Sequence, residues 1–449
     1  MKKLCLCLCL LCLGYIHVFA ADFYVNNQDG VRIYYKYING GYDVAVINSG
    51  GLGNDYIGHV NIPEKVTYNE KTMDVKQIYE YAFYESKVES VTIPKCIESI
   101  GKYAFAKCAG LKDVYISDGV YRIEDLAFFD CPRLKSIVIP NSVINIGKSV
   151  FKGCTSLSSI TLCNNISVLS SNCFEGCSSL TNIEIPNGVE RIGESAFAYC
   201  TSLSSINIHD KIKGIGSSAF YGCTSLTKIT IPNSVKELGS FAFAECTALT
   251  DVELSKNIGN IEIGLFSGCI KLSNIDISAC HISWIREKAF YNCRSITSIT
   301  IPKSVTQIEE DAFMNATNLN SLVIKYNDLY NLQPLWINKR SFYCAKLMSV
   351  VSFNEHPREI RGIKYSDSTF HPNTVANGIL YVPTGSVETY KKTMGWQDFK
   401  NIVEFNPTTI EVVNRSNNKK MVVYDLSGRA VTQPRKGINI INGKKYVIK

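Results

Sequence analysis

Apolar and polar positions repeat along this chain about every 23 residues. The anchor of each unit is a phenylalanine, at 83, 105, 128, 151, 174, 197, 220, 243, 266, 290, 313 and 342, in steps of 22, then 23 seven times, then 24, 23 and 29. Six residues after ten of the twelve anchors comes Leu or Ile, such as Leu180 and Leu226. Three and five further on are two more apolar residues, as in Ile183 and Ile185, Ile229 and Ile231, or Ile299 and Ile301. These two alternate with polar residues, which predicts a short strand with one buried face. A proline often follows (Pro94, Pro140, Pro186, Pro232, Pro302) and, lacking an N–H, ends the strand. Two apolar residues three apart come next, such as Val143 and Ile146, and then often a glycine (Gly101, Gly147, Gly193, Gly216, Gly239) that suits a tight turn. One such unit cannot bury its own apolar side, but a stack of them can, so a fixed period of this length predicts a solenoid.

The consensus Leu-x-x-Ile-x-Ile-Pro-x-x-Val-x-x-Ile-Gly-x-x-Ala-Phe-x-x-Cys resembles the BspA-like leucine-rich repeats, found in surface proteins of Bacteroidetes and in some protozoan parasites. The resemblance covers about residues 60–350. Pro or another residue stands where receptor-type repeats place Asn after the strand. The fold expected is a β-rich α/β solenoid: a right-handed leucine-rich repeat array of about twelve 23-residue coils with one parallel β-sheet, capped at both ends.

The expected organisation has five parts. Residues 1–21 read as a secretory signal peptide: basic Met1-Lys2-Lys3, an apolar run from Leu4 to Leu13, and small residues at Ala20-Ala21. Residues 22–78 read as an N-terminal β cap, with strands at Phe23-Tyr24-Val25, 32–37 and 43–47. The repeats occupy 79–353, with an aromatic insert around 326–336 where the period stretches. Residues 354–406 carry Tyr381-Val382-Pro383 and Gly395-Trp396-x-x-Phe399, which look like the C-terminal cap of BspA-like arrays. Residues 407–449 read as a small β appendage. It resembles the C-terminal domain of exported Bacteroidetes proteins, which in some species is a sorting signal for type IX secretion.

Charge narrows the partners. Of the net +7, the tail 407–449 carries +7 and Lys2-Lys3 carry +2, leaving −2 on residues 22–406. A near-neutral solenoid offers no nucleic-acid footprint. Fourteen of the 18 Cys lie beyond the signal peptide, and nine sit three residues after an anchor Phe (Cys108, Cys131, Cys154, Cys177, Cys200, Cys223, Cys246, Cys269, Cys293). Ser86 and Ala316 fill the same slot in outlying repeats. A slot that accepts Cys, Ser or Ala asks for a small, weakly polar residue, so these thiols are expected to be buried and reduced.

No catalytic constellation stands out, and neither a cofactor nor a metal is expected. The six His are scattered without metal-ligand spacing, and the adjacent Cys280 and His281 would point to opposite strand faces. Binding is easier to argue, because the polar residues that alternate with the strand's apolar ones must face outward. The candidate ligand-binding residues are Glu184, Asn207, Lys228, Thr230, Glu253 and Asp276, with Trp336 of the insert as the alternative locus. Singly, each reads as a solvated strand residue; together they form a flat polar face suited to a broad contact. The family resemblance implies an exported cell-surface protein, on the exterior of the outer membrane or secreted. It would bind host or matrix proteins or other cells like an adhesin, touching a membrane only through export or attachment. A glycan-binding accessory protein is the alternative, and a degradative enzyme the second. Phe197→Ala is expected to cost more stability than Phe342→Ala, since Phe342 ends the periodic series.

Overall fold

The computed structural model describes residues 20–50, 55–325 and 335–406, and in the tail the backbone of strands 423–424, 430–431, 437–441 and 444–448. The expected signal peptide, through residue 19, and residues 326–334 of the insert with Tyr330 lie outside the described residues. Cα proximity divides the chain into two units, 1–226 and 227–449.

In the first unit, Phe23–Asn26, Arg32–Ile38 and Asp43–Ile47 form an antiparallel meander, which the strand Lys71–Ile78 joins in parallel. The strands expected from the Ile-x-Ile pattern then stack in parallel: Ile57–Asn61, Lys87–Ile93 and Asp113–Ile116 in one sheet, Ser136–Val138 and Ser159–Thr161 in another. The structure adds a second parallel ladder. It is made of two-residue strands at the apolar position after the proline: Ser99–Ile100, Arg122–Ile123 and Asn145–Ile146, then Val168–Leu169, Arg191–Ile192 and Gly214–Ile215. The second unit has the same two ladders. Lys228–Thr230, Asp251–Glu253 and Asn274–Ile275 belong to the first, as do Ser298–Ile301, Ser321–Ile324, Ser349–Ser352, Ile379–Pro383 and Asn401–Phe405. Asn260–Ile261, Trp284–Ile285, Gln307–Ile308 and Trp336–Ile337 belong to the second. Among the described residues helix is confined to short pieces, such as Pro372–Asn377 and Val387–Lys392. In the tail, four short strands pair antiparallel.

The third side of each coil is the turn around the anchor Phe. From Phe83 to Phe313 the residues two before and two after the Phe have positive φ, as at Ser195 (51°) and Tyr199 (60°) around Phe197. This alternation aims every second N–H at the next coil: Ser195, Phe197 and Tyr199 donate to Ser217 O, Ala219 O and Tyr221 O at 2.9, 2.8 and 2.7 Å. The N–H groups between them close the turn internally, as Ala198 does onto Ser195 O. Among the positions two before the anchor, only Gly264 is a glycine (φ 58°). The others bear the cost of a left-handed Cβ because the inter-coil hydrogen bonds require that conformation. Ser195→Gly should therefore raise stability by about 0.5 kcal/mol, and Ser195→Ala should not. Denaturant midpoints of the two variants check this.

The glycine expected to make a tight turn does something else. Gly101, Gly147, Gly193 and Gly216 do not have positive φ. A Cβ on them would meet the backbone of the preceding coil at 2.7, 2.4, 2.7 and 2.6 Å respectively. They are glycines because two chains approach closely there.

The anchor rings stack in a column, fully buried. From Phe83 to Phe220 the centroids are 4.7–5.7 Å apart with interplanar angles of 1–13°. From Phe243 to Phe342 they are 4.9–5.8 Å apart. The column does not end at Phe342: Phe370 stacks on it at 5.7 Å. Phe342 is therefore an interior ring, and the expectation that it ends the series, on which a smaller cost for Phe342→Ala rested, is corrected. The free face of Phe370 is closed by Trp396 (5.6 Å) and Phe399 (5.3 Å), which explains the Gly-Trp-x-x-Phe piece. At the other end Tyr56 covers Phe83 at 4.3 Å.

Beside the rings runs a column of thiols. None of the fourteen cysteines from Cys96 on forms a disulfide, and all but Cys96 are buried. The repeat thiols donate to the carbonyl of the anchor Phe one coil back, as Cys131 does to Phe105, Cys177 to Phe151, Cys200 to Phe174, Cys223 to Phe197 and Cys293 to Phe266, at 3.0–3.2 Å. Cys344, two residues after its Phe, donates to Phe313 O at 2.9 Å. That carbonyl already accepts the N–H three residues on, as Phe151 O does from Cys154, and the thiol satisfies its second lone pair. Cysteine is thus the small residue that fills the slot and still offers a weak donor.

Candidate functional site

The outward face of the first ladder in the second unit gathers four of the seven candidate residues. Inward-pointing Ile229, Val252 and Ile275 are buried, so their neighbours along the strand face solvent. Register places Lys228 beside Asp251 and Asp251 beside Asn274, with Thr230 beside Glu253. Thr230 Oγ1 donates to Glu253 Oε2 at 2.8 Å, and Asn274 Nδ2 donates to Asp251 Oδ1 at 2.7 Å. Thr250 Oγ1 donates to Asp251 Oδ2 at 2.5 Å. The Asp251 carboxyl is held below its ordinary pKa, first by the Thr250 hydroxyl, then by the Asn274 amide, with Lys228 adding its charge. Asp276 Oδ1 accepts from Ser278 N at 2.8 Å. The result is a flat, ordered, net acidic patch in which neighbouring side chains hold one another in place.

The other three candidates lie elsewhere. Glu184 and Asn207 are exposed in the first unit, on segments without assigned strand structure. In that unit the same outward position is apolar at Tyr115 (60% exposed) and Val138 (61%), beside a shallow recess of about 450 Å³ lined by Ile116, Asp118, Pro140 and Asn141. Trp336 belongs to the second ladder, where it pairs with Gln307. There its ring lies under the guanidinium of Arg358, 3.8 Å from Cζ to centroid. Trp284, 37% exposed, occupies the equivalent position two strands away, with Arg286 at 5.1 Å. Trp284 was legible, since both tryptophans stand six residues before an anchor Phe; Arg358 has no repeat position to betray it.

Chemistry beyond binding finds little support. Among the described residues no three His, Cys, Asp or Glu side chains are grouped to hold a metal. Among the described residues Ser90 Oγ lies 2.5 Å from His59 Nδ1, with His59 Nε2 3.0 Å from Asn61 Oδ1. These are cross-strand neighbours on an exposed sheet. No described helix is long and apolar enough to cross a membrane.

Comparison with known proteins bears on this arrangement. The family model described as the BspA type leucine rich repeat region matches residues 76–203, 167–282, 191–320 and 268–370. The chain belongs to the BspA-type leucine-rich repeat family. A leucine-rich repeat protein from Bacteroides ovatus is 23% identical over 86% of this chain and 100% of its own, with a TM-score of 0.52. The pneumococcal vaccine antigen PcpA is 20% identical over 86% of this chain and 100% of its own, with a TM-score of 0.55. These two likenesses are of fold. A protein from Faecalibacterium prausnitzii, described as a leucine rich cell surface protein, is 26% identical over 69% of this chain and 96% of its own, with a TM-score of 0.43. No curated protein matches the chain. Leucine-rich repeat folds generally mediate protein interactions, and this BspA-type chain has parallel ladders with exposed side chains.

Proposed function

We propose that this protein is an exported, surface-associated binding protein that engages a host, matrix or cell-surface protein. Its contact face is the outward side of the strands Lys228–Thr230, Asp251–Glu253 and Asn274–Ile275. The observation that carries this reading is the ordered acidic patch of Asp251, Glu253 and Asp276 around one base, Lys228. A flat face with pre-set side chains loses little entropy on binding, and its sign selects a basic partner. The apolar run after Met1-Lys2-Lys3 supports export.

A screen of the purified chain against matrix proteins, beside a glycan array, identifies the ligand class. The double variant Glu253→Lys, Asp276→Lys should then weaken protein binding about tenfold at low salt, with a smaller loss at high salt, because exposed charges act mainly on association rate. Glu184→Lys should change it less. Unchanged binding in the double variant would remove this face from the reading.

A further inference from the structure

The second ladder of the 227–449 unit carries a feature that the protein-binding reading does not use. Register sets Asn260, Trp284, Gln307 and Trp336 side by side in one outward column. Neighbouring strands are about 4.8 Å apart, so the two indoles recur at about 9.6 Å with an amide between them. Trp336 is 54% exposed. Arg358 stacks on it with Cζ 3.8 Å from the ring centroid, and its own carbonyl is tied down by Trp396 Nε1 at 2.8 Å. Among the described residues Arg358 forms no ion pair, although Glu355 and Glu359 flank it in sequence. Arg286, beside Trp284, is engaged with Glu309 at 3.6 Å and serves that ring as a brace.

We propose that this column is a binding site for an acidic polysaccharide, with Arg358 reading a carboxylate and the tryptophans meeting the sugar rings. A guanidinium laid on an indole uses its π face and leaves its in-plane N–H donors set for two-point contact with a carboxylate. Indole presents an apolar surface to the C–H side of a pyranose, and Gln307 and Asn260 supply donor and acceptor to hydroxyls. The column is one side chain wide with a regular two-strand repeat. That matches a linear polymer repeating every second sugar better than the irregular surface of a folded protein.

The test uses the full chain with oligogalacturonate, the neutral cellohexaose and polyglutamate, followed by calorimetry and indole fluorescence. Oligogalacturonate should bind, quench or shift the fluorescence, and bind more tightly than either control. Trp336→Ala and Arg358→Ala should each lower its affinity about tenfold, and Trp284→Ala by less. Glu253→Lys, Asp276→Lys should not weaken it, which separates this site from the protein-binding face. Arg358→Gln, which keeps the indole in place, tests the carboxylate role should Trp336→Ala disturb the fold. No oligogalacturonate binding, equal binding of cellohexaose or polyglutamate, or full affinity in both Arg358 variants would overturn the proposal.

Discussion

Phe197→Ala should destabilise the protein by about 3–5 kcal/mol, the cost of emptying a fully buried aromatic site. Phe197 is sandwiched between Phe174 and Phe220 at 5.4 Å on each side. Removing it leaves two facing rings without a partner and a cavity that neighbouring coils cannot close, since their backbones are hydrogen-bonded across it. Phe342→Ala should cost about as much, because Phe313 and Phe370 flank that ring in the same way. Phe370→Ala is the informative contrast: its second face meets Trp396 and Phe399 at steep angles, and these cap residues can resettle. Urea unfolding monitored by far-UV circular dichroism measures all three. A loss below about 1 kcal/mol at Phe197 would mean that the ring column is not the core.

The buried thiols, those of the column together with Cys173 just before Phe174, should make the protein alkali-sensitive well before its tyrosines ionise. Burial raises Cys173, Cys200 and Cys344 to about 12, and it raises Cys177, Cys269 and Cys293 in the same direction. An unfolded chain releases its thiol protons near pH 8.5. Between that value and about 12 the folded state therefore holds protons that the unfolded state has lost, and stability falls as pH rises. The stabilisation is complete below about pH 8.5, and each such thiol removes about 1.4 kcal/mol per pH unit above it. Cys173 and Cys200 alone give about 3 kcal/mol per unit in the first unit. Denaturant midpoints from pH 7 to 11 should be flat and then drop from about 8.5, and Cys173→Ala with Cys200→Ala should flatten the slope. A decline that starts only near pH 10 would assign the effect to tyrosine instead.

What the sequence made legible is what it states many times. The Phe and Cys columns and the Ile-x-Ile strands recur in phase, so each repeat checks the others. The second ladder was not legible because its strands are two residues long, as at Arg191–Ile192, and show no alternation. The left-handed residues were hidden because Ser195, Leu126 and Lys288 carry no sign of positive φ. Gly193 was misread because close approach and a turn both select glycine, and only the neighbouring backbone tells them apart. Phe370 escaped because Thr369 replaces the Ala of the Ala-Phe pair and the step from Phe342 is 28 residues. The candidate face was half legible. Alternation placed Lys228, Thr230, Glu253 and Asp276 outward, but it could not show that Asn274 and Thr250 hold Asp251, or that Trp336 lies on the other ladder under Arg358.

The central claim is that a protein partner sits on the first ladder near Asp251. Carboxyl footprinting with a carbodiimide and glycine ethyl ester, with and without the partner found in the screen, tests it most directly. Asp251, Glu253 and Asp276 should be labelled in the free protein and protected in the complex, while Glu237, exposed on the separate two-residue strand Glu237–Leu238, stays labelled in both. Protection of Glu237 with continued labelling of Glu253 and Asp276 would contradict the account.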